Sequence, residues 1–369
     1  MMGEETAEDR AFMASALTLA RRGLGRVWPN PAVGCLLVRE GRVVGRGWTQ
    51  DGGRPHAEQV ALQRAGSQAR GATAYVTLEP CAHHGKTPPC AEALVAAGVA
   101  RVVSATDDPD PRVSGGGHRR LREAGIDLTE GLLRLDAEEI NLGFLRRLQV
   151  GRPLVTLKLA MSLDGRIATH SGHSQWITGP EARARAHLLR AEHDAVMVGS
   201  GTAIADNPRL TVRLPGMESR RPIRIVADSR LALHLTHELV RGARETPTWL
   251  LARDDVERQR RRAFEQAGVD VLEVPGGDAE PLDIAAALQL LGTRGLTRIL
   301  VEGGGRLAAS LLSAGLVDRL VVFQAGLAIG GDGVPGIAGL GLKDLSAATR
   351  FSQRKLERVG PDLMVQYSH

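Results

Sequence analysis

Cysteine is scarce in this chain of 369 residues: Cys35, Cys81 and Cys90 are the only three. So low and odd a number excludes the disulfide framework of a small secreted domain. Aromatic residues make up 3%, too few for the stacking platforms that bind single-stranded nucleic acid. Lysine supplies four of the 47 basic side chains, the rest being arginine. The net charge of +5 is spread out, and residues 1–147 hold 19 Lys+Arg against 18 Asp+Glu. A protein that tracks a phosphate backbone needs a basic stripe, and none is present here. No run of about 18 apolar residues offers a membrane span. The first residues, MMGEETAEDRAFM, are acidic and lack the basic-then-apolar pattern of a secretory leader. The expectation is a cytoplasmic protein with a small-molecule substrate, no nucleic acid and no membrane.

What is present is enough for ordinary cores: 43% of residues are hydrophobic. At about 150 residues per domain the length fits two domains. Residues 7–24 carry helical periodicity, and Thr6 with Asp9 forms a cap pattern. Strands are expected at Val33–Val38 and Arg42–Arg46, split by Glu40-Gly41 as in a hairpin. A helix is expected from His56 to Ala65, a buried strand at Ala74–Leu78, and a helix from Cys90 to Gly98. Val99–Ala105 reads as a strand, Gly117–Ala124 and 136–150 as helices. Gly151-Arg152-Pro153 is a turn signal and the expected boundary. Beyond it strands and helices alternate again, from Leu154–Ala160 to Arg319–Phe323. The fold class is therefore α/β in two domains, 1–150 and 151–369, each with a largely parallel sheet.

The sharpest chemical signal is His56-Ala57-Glu58 together with Pro80-Cys81 and Cys90. Catalytic zinc takes three protein ligands and keeps one position open, and thiolates with imidazole suit Zn²⁺ better than Mg²⁺ or Ca²⁺. His56, Cys81 and Cys90 supply that set. His56 and Cys90 each head an expected helix, whose positive end favours a thiolate. Glu58 is two residues past His56, too close for a comfortable fourth ligand, and its better role is proton carrier. Zinc deaminases of nucleobases carry H-x-E with P-C-x-x-C; here eight residues separate the cysteines. Cys35 sits inside an apolar strand and reads as core. In the second half, Gly303-Gly304-Gly305 follows an apolar run and opens a helix. That arrangement binds phosphate but is not the G-x-G-x-x-G fingerprint, and a plain turn is an equal reading. Lys158 lies mid-strand, where an ion pair and catalysis are equal readings.

LEPCAHHGKTPPC at 78–90, PNPAVG at 29–34 and SLDGRIA at 162–168 resemble the bifunctional riboflavin-biosynthesis deaminase/reductase family, over about residues 10–365. The resemblance implies a cytidine-deaminase-like three-layer domain followed by a dihydrofolate-reductase-like domain. It implies deamination of 2,5-diamino-6-(5-phosphoribosylamino)pyrimidin-4-one, then NADPH reduction of the product's ribosyl group to ribityl. The cofactors implied are Zn²⁺ and NADPH, and the assembly a homo-oligomer. In the deaminase half, Asn30, Lys86 and Thr87 would meet substrate, with His83 and His84 in the loop between the cysteines. In the reductase half, Ala160, Trp176, Thr202, Asp206, Ser229, Gly304, Gly305, Arg306, Leu307, Ala308, Ala309 and Ser310 would contact NADPH. Ser174, Arg190, Leu210, Arg213 and Glu302 would contact substrate, and Arg190 and Arg213 suit a phosphate.

The chain departs from that pattern at three places. Thr49 stands where the family usually has a His seven residues before the zinc His. Asp110 replaces an Asn in the DPNP stretch, and Ala325-Gly326-Leu327-Ala328 replaces A-P-K-L. Three other readings are weighed. A transfer-RNA-editing deaminase is opposed by the neutral first half and the few aromatics. A deaminase fold that merely holds zinc is opposed by Glu58. A single-activity deaminase with a degenerate reductase domain would release ammonia without consuming NADPH.

Overall fold

The computed structural model describes residues 6–82, 88–109, 115–276 and 282–369. The chain divides into two compact units, Met1–Val150 and Gly151–His369. No helix among the described residues is long and apolar enough to cross a membrane.

The first unit opens with α1 (Ala7–Ala20), capped by Thr6, whose hydroxyl accepts from Asp9 N while Asp9 accepts from Thr6 N. Strands β1 (Gly34–Arg39) and β2 (Arg42–Trp48) follow, then α2 (Ala57–Ala65), β3 (Thr73–Val76) and α3 (Cys90–Ala96). The unit closes with β4 (Arg101–Ser104), α4 (Gly116–Glu123), β5 (Asp127–Glu130) and α5 (Arg134–Val150). The sheet order is β2-β1-β3-β4-β5. β1 runs antiparallel to both neighbours, while β3, β4 and β5 are parallel. Successive side chains of a strand point to opposite faces, so Leu36 and Val38 pack with α1 and α5 while Cys35 and Leu37 pack with α2 and α3. Cys35 is fully buried there.

Asp9 does more than cap α1. Its carboxylate also accepts from Tyr75 Oη at 2.7 Å and from Arg101 at 2.9 and 3.2 Å, tying α1 to β3 and β4. On the other face α2 lies directly on β2. A Cβ at Gly47 would stand 2.1 Å from the Ala57 carbonyl oxygen, so only glycine permits that approach.

The second unit is built on a nine-stranded sheet, β11-β10-β9-β8-β12-β6-β13-β16-β15. In chain order its elements are β6 (Leu154–Met161), β7 (Arg166–Ala168), α6 (Pro180–Ala191), β8 (Ala195–Gly199) and α7 (Ser200–Asp206). Next come β9 (Ile223–Ala227), α8 (Glu238–Arg241), β10 (Thr248–Arg253), α9 (Arg258–Gln266) and β11 (Asp270–Val274). Then follow α10 (Ile284–Thr293), β12 (Arg298–Val301), α11 (Gly305–Ser313) and β13 (Arg319–Gln324). β14 (Val334–Pro335), β15 (Ser352–Val359) and β16 (Asp362–Ser368) complete it, β14 pairing with β7 apart from the main sheet. The strands from β11 to β13 are parallel, and the β15–β16 hairpin closes one edge antiparallel.

The sequence reading passes over β5, β7, α7, α8, β14 and the β15–β16 hairpin. In β5 only Thr129 is buried, and six of the eight residues of β15 are exposed. Neither shows the apolar alternation on which a strand reading depends.

Candidate functional site

His56 is the N-cap residue of α2, and Cys90 is the first residue of α3. Cys81 lies in the loop after β3, where its carbonyl accepts from Ala91 N at 3.2 Å. These elements bring His56 Nδ1 to 3.3 Å from Cys90 Sγ and 3.6 Å from Cys81 Sγ. Cys90 N donates to Cys81 Sγ at 3.3 Å. Tetrahedral zinc, with bonds of about 2.3 Å to sulfur and about 2.0–2.1 Å to nitrogen, sets N and S about 3.5 Å apart. The observed separations fit that geometry.

The thiols carry the same message electrically. The hydrogen bond with Cys90 pulls Cys81 down to about 4, against its burial. That bond, with burial and the nearby Glu58, pushes Cys90 well up. Two adjacent sulfurs cannot both ionise unaided, whereas a dication between them permits it.

Glu58 sits in the first turn of α2, 4% exposed. Burial, reinforced by the Cys81 charge, raises its carboxyl to about 7. A carboxyl poised there both takes and gives protons near neutrality. It lines a cavity of about 270 Å³ with Asn30, Thr49, His56, Glu79 and Cys81. Asn30 is held by the turn across from it: a Cβ at Gly53 would stand 1.8 Å from its side-chain nitrogen. Thr49 is buried, and its hydroxyl accepts from Val33 N at 3.0 Å. It thus stitches the end of β2 to the start of β1. Lys86, Thr87, His83, His84 and Asp110 lie outside the described residues.

Sequence reasoning passes over Glu79. This carboxylate is 2% exposed and accepts from the backbone N–H groups of Asp108, Gly115, Gly117 and His118. It anchors the start of α4 beside the loop that carries Cys81. Its position immediately before Pro80-Cys81 places it next to the site in sequence but says nothing of the role it plays.

A second cavity, of about 890 Å³, lies within the second unit. Ala160, Ser174, Trp176, Arg190, Thr202, Asp206, Leu210, Arg213, Glu302 and Gly304 all line it. At its floor, Arg190 donates Nε to Glu302 Oε1 at 2.5 Å and Nη2 to Oε2 at 2.8 Å. Burial alone would raise the Glu302 carboxyl, but the Arg190 charge outweighs it and holds it at about 2. Lys158 Nζ lies 4.0 Å from Glu302 Oε2, and burial lowers its pKa. Trp176 is 64% exposed, with the Arg183 guanidinium 4.5 Å over its ring. Gly304 caps α11 with φ +91°, close to Thr202.

Not every residue named from sequence reaches this wall. Gly305 to Ser310 and Ser229 are not among its lining residues. Leu307, Ala308 and Ala309 are buried, and Ala308 N is spent on Gly304 O. Ser229 instead accepts from Arg253 N beyond β9. Leu327 meets the Leu163 turn through backbone: Leu163 N donates to Leu327 O at 2.7 Å. That contact asks nothing of the side chain at 327. His187, which sequence reasoning passes over, lines the cavity one turn before Arg190.

A zinc-competent His/Cys/Cys site beside a buried Glu defines the first unit as a zinc deaminase, joined in one chain to an α/β unit with a large cavity of its own. Residues 6–106 match the cytidine and deoxycytidylate deaminase zinc-binding region, and residues 153–365 match the RibD C-terminal domain. The riboflavin biosynthesis protein RibD of Escherichia coli (strain K12) is 45% identical over 96% of this chain and 98% of its own. That of Aquifex aeolicus (strain VF5) is 41% identical over 97% of each. The Acinetobacter baumannii RibD structure, form 1, superposes with TM-score 0.87 at 37% identity over 99% of both chains. A diaminohydroxyphosphoribosylaminopyrimidine deaminase/5-amino-6-(5-phosphoribosylamino)uracil reductase from Thermotoga maritima gives 0.85 at 33% identity, over 98% of both. The chain belongs to the RibD family. It is a bifunctional enzyme of riboflavin biosynthesis, a deaminase that uses Zn²⁺ and a reductase that uses NADPH. The reading as a deaminase with a degenerate partner domain is not favoured.

Proposed function

We propose that residues 1–150 convert 2,5-diamino-6-(5-phosphoribosylamino)pyrimidin-4-one to its deaminated product, and that residues 151–369 reduce the ribosyl group of that product to ribityl with NADPH. The observation that carries the reading is the His56, Cys81 and Cys90 triangle with Glu58 on the same cavity wall.

His56 Nδ1 and the two Sγ atoms would hold the zinc. Zinc, when bound, supplies the Lewis acidity that makes water nucleophilic near neutral pH. Glu58 takes a proton from the attacking water and passes it to the ring nitrogen. It then takes the remaining proton of that oxygen and delivers it to the amine as the C–N bond breaks, so that ammonia leaves as the ring C=O forms. Asn30, with Lys86 and Thr87, would orient the pyrimidine.

In the second unit, Ser174, Arg190, Leu210, Arg213 and Glu302 would face the substrate, with Arg213 on its phosphate. Ala160, Trp176, Thr202, Asp206, Ser229 and the segment Gly304 to Ser310 would face NADPH. NADPH, when bound, would supply the hydride: the ribosylamine ring would open to a C1′=N imine, C1′ would accept the hydride and the nitrogen a proton, and C1′ would become the CH₂ of a ribitylamino group with its bond to nitrogen kept. The lining of the second cavity supports most of these positions, but Ser229 and residues 305–310 are not among its lining residues. Cytoplasmic location and self-association belong to the same proposal. The test is direct: ammonia release from the diamino substrate, followed by NADPH oxidation in the same cuvette. Ammonia without NADPH oxidation would refute the second activity.

A further inference from the structure

We propose that His187 is a positioning residue of the reductase site, holding the Arg213 side chain so that its guanidinium fork meets the phosphate of the substrate. The inference rests on the reading of Arg213 as the phosphate partner, and it names what makes that arginine competent.

Three contacts define the ring. His187 Nδ1 lies 3.1 Å from Thr211 O, and His187 Nε2 lies 3.4 Å from Arg213 Nε. Arg213 N approaches Nδ1 at 3.3 Å. With the proton on Nδ1, the ring donates to the Thr211 carbonyl and its Nε2 lone pair accepts from Arg213 Nε; the Arg213 backbone N–H, which would need a lone pair on Nδ1, is then not bonded to the ring. Burial, with the charges of Arg190 and Arg213, pulls the His187 pKa down to about 4, so the ring stays neutral in the working range. A protonated ring would have no lone pair left for Arg213.

The neighbouring arginine sharpens the contrast. Arg190 lies three residues further along α6 and donates Nη1 to the same Thr211 carbonyl at 2.9 Å. Its Nε and Nη2 are committed to Glu302. All three of its nitrogens are therefore engaged. Arg213 is exposed, and only its Nε is bound among the described residues, to His187. Its two terminal nitrogens remain to form the paired bonds that a phosphate takes from a guanidinium. One turn of α6 thus anchors the 211–213 segment and aims its arginine, a rigid mounting of the kind that oriented binding requires.

The test uses the full-length, zinc- and NADPH-loaded enzyme with 5-amino-6-(5-phosphoribosylamino)uracil and with the same compound lacking its phosphate. For the phosphorylated substrate, His187→Ala raises KM about tenfold while kcat moves less than about twofold, the signature of lost ground-state binding. His187→Gln places an amide oxygen near the Nε2 position and restores KM to within about threefold of wild type. His187→Asn keeps only the donor to Thr211 and behaves like His187→Ala. Arg213→Ala raises KM at least as far, and the double variant goes no further, because the two act through one contact. With the phosphate-free compound all variants match wild type. If Arg213→Ala raises KM and His187→Ala does not, the positioning role is wrong and the phosphate reading stands. If Arg213→Ala leaves KM unmoved, both fall. Should His187→Ala fail to fold, equal KM values for the Gln and Asn variants overturn the proposal.

Discussion

The two cavities of this chain are written in different chemical languages. The first is small, and its metal-binding side chains span residues 56–90. The second is about three times larger and draws on residues from 158 to 336. A metal is recognised by side-chain identity, since only a few donor atoms suit zinc. A dinucleotide and a sugar phosphate are recognised largely by shape, backbone N–H groups and a few cations. The first site is thereby exposed to single-atom changes, and the second is buffered against many of them.

The largest expected effect falls on the first site. Cys90→Ser removes a thiolate ligand, and zinc content should drop well below one per chain with loss of ammonia release. Reduction of the pre-deaminated substrate should continue, as NADPH absorbance will report. Glu58→Gln comes next. Zinc should stay near one per chain while the deamination rate falls about 10²–10⁴-fold, the usual worth of a positioned acid–base group. Retained deamination would remove Glu58 from the mechanism.

A smaller effect is expected at Gly304. With φ at +91° and Thr202 Oγ1 3.3 Å from where a Cβ would stand, Gly304→Ala is strained and crowds the head of α11. The KM for NADPH should rise about tenfold, equivalent to about 1.4 kcal/mol, and deamination should not change. A normal NADPH KM would move the cofactor away from this helix end.

The legibility of the sequence follows the same division. His56, Glu58, Cys81 and Cys90 could be named from residue type and spacing, because metal chemistry admits few substitutes. The helix starts at His56 and Cys90 were readable too, from the apolar pattern that follows them. Glu79 was not, because its role is to accept four backbone N–H groups that only the fold brings together. His187 was hidden for a similar reason: its partners Thr211 and Arg213 are more than 20 residues away in sequence. In the second unit, the glycine run at 303–305 left a turn and a phosphate cradle equally open. The helix that follows then buries Leu307, Ala308 and Ala309 in the core. The exposed β15 strand carried no apolar alternation at all.

The smallest effect concerns stability of the first unit alone. Burial would raise the Asp9 carboxyl, but Arg101, Tyr75 and the Thr6 bonds outweigh it and lower it from 3.8 to about 2. A depressed carboxyl stabilises the fold fully above pH 3.8, and that contribution is lost as pH falls through about 2. The span corresponds to about 2 kcal/mol. Asp9→Asn should lower the denaturation midpoint of the first unit at pH 7 and flatten its acid dependence. An unchanged midpoint would mean that the Asp9 network adds nothing net.

Two separable activities share one chain, and removing the metal tests that separation most directly. After zinc chelation, ammonia release from the diamino substrate should cease and return with added Zn²⁺. NADPH oxidation with the deaminated substrate should persist throughout. Loss of both activities on chelation, or deamination that survives without zinc, would contradict it.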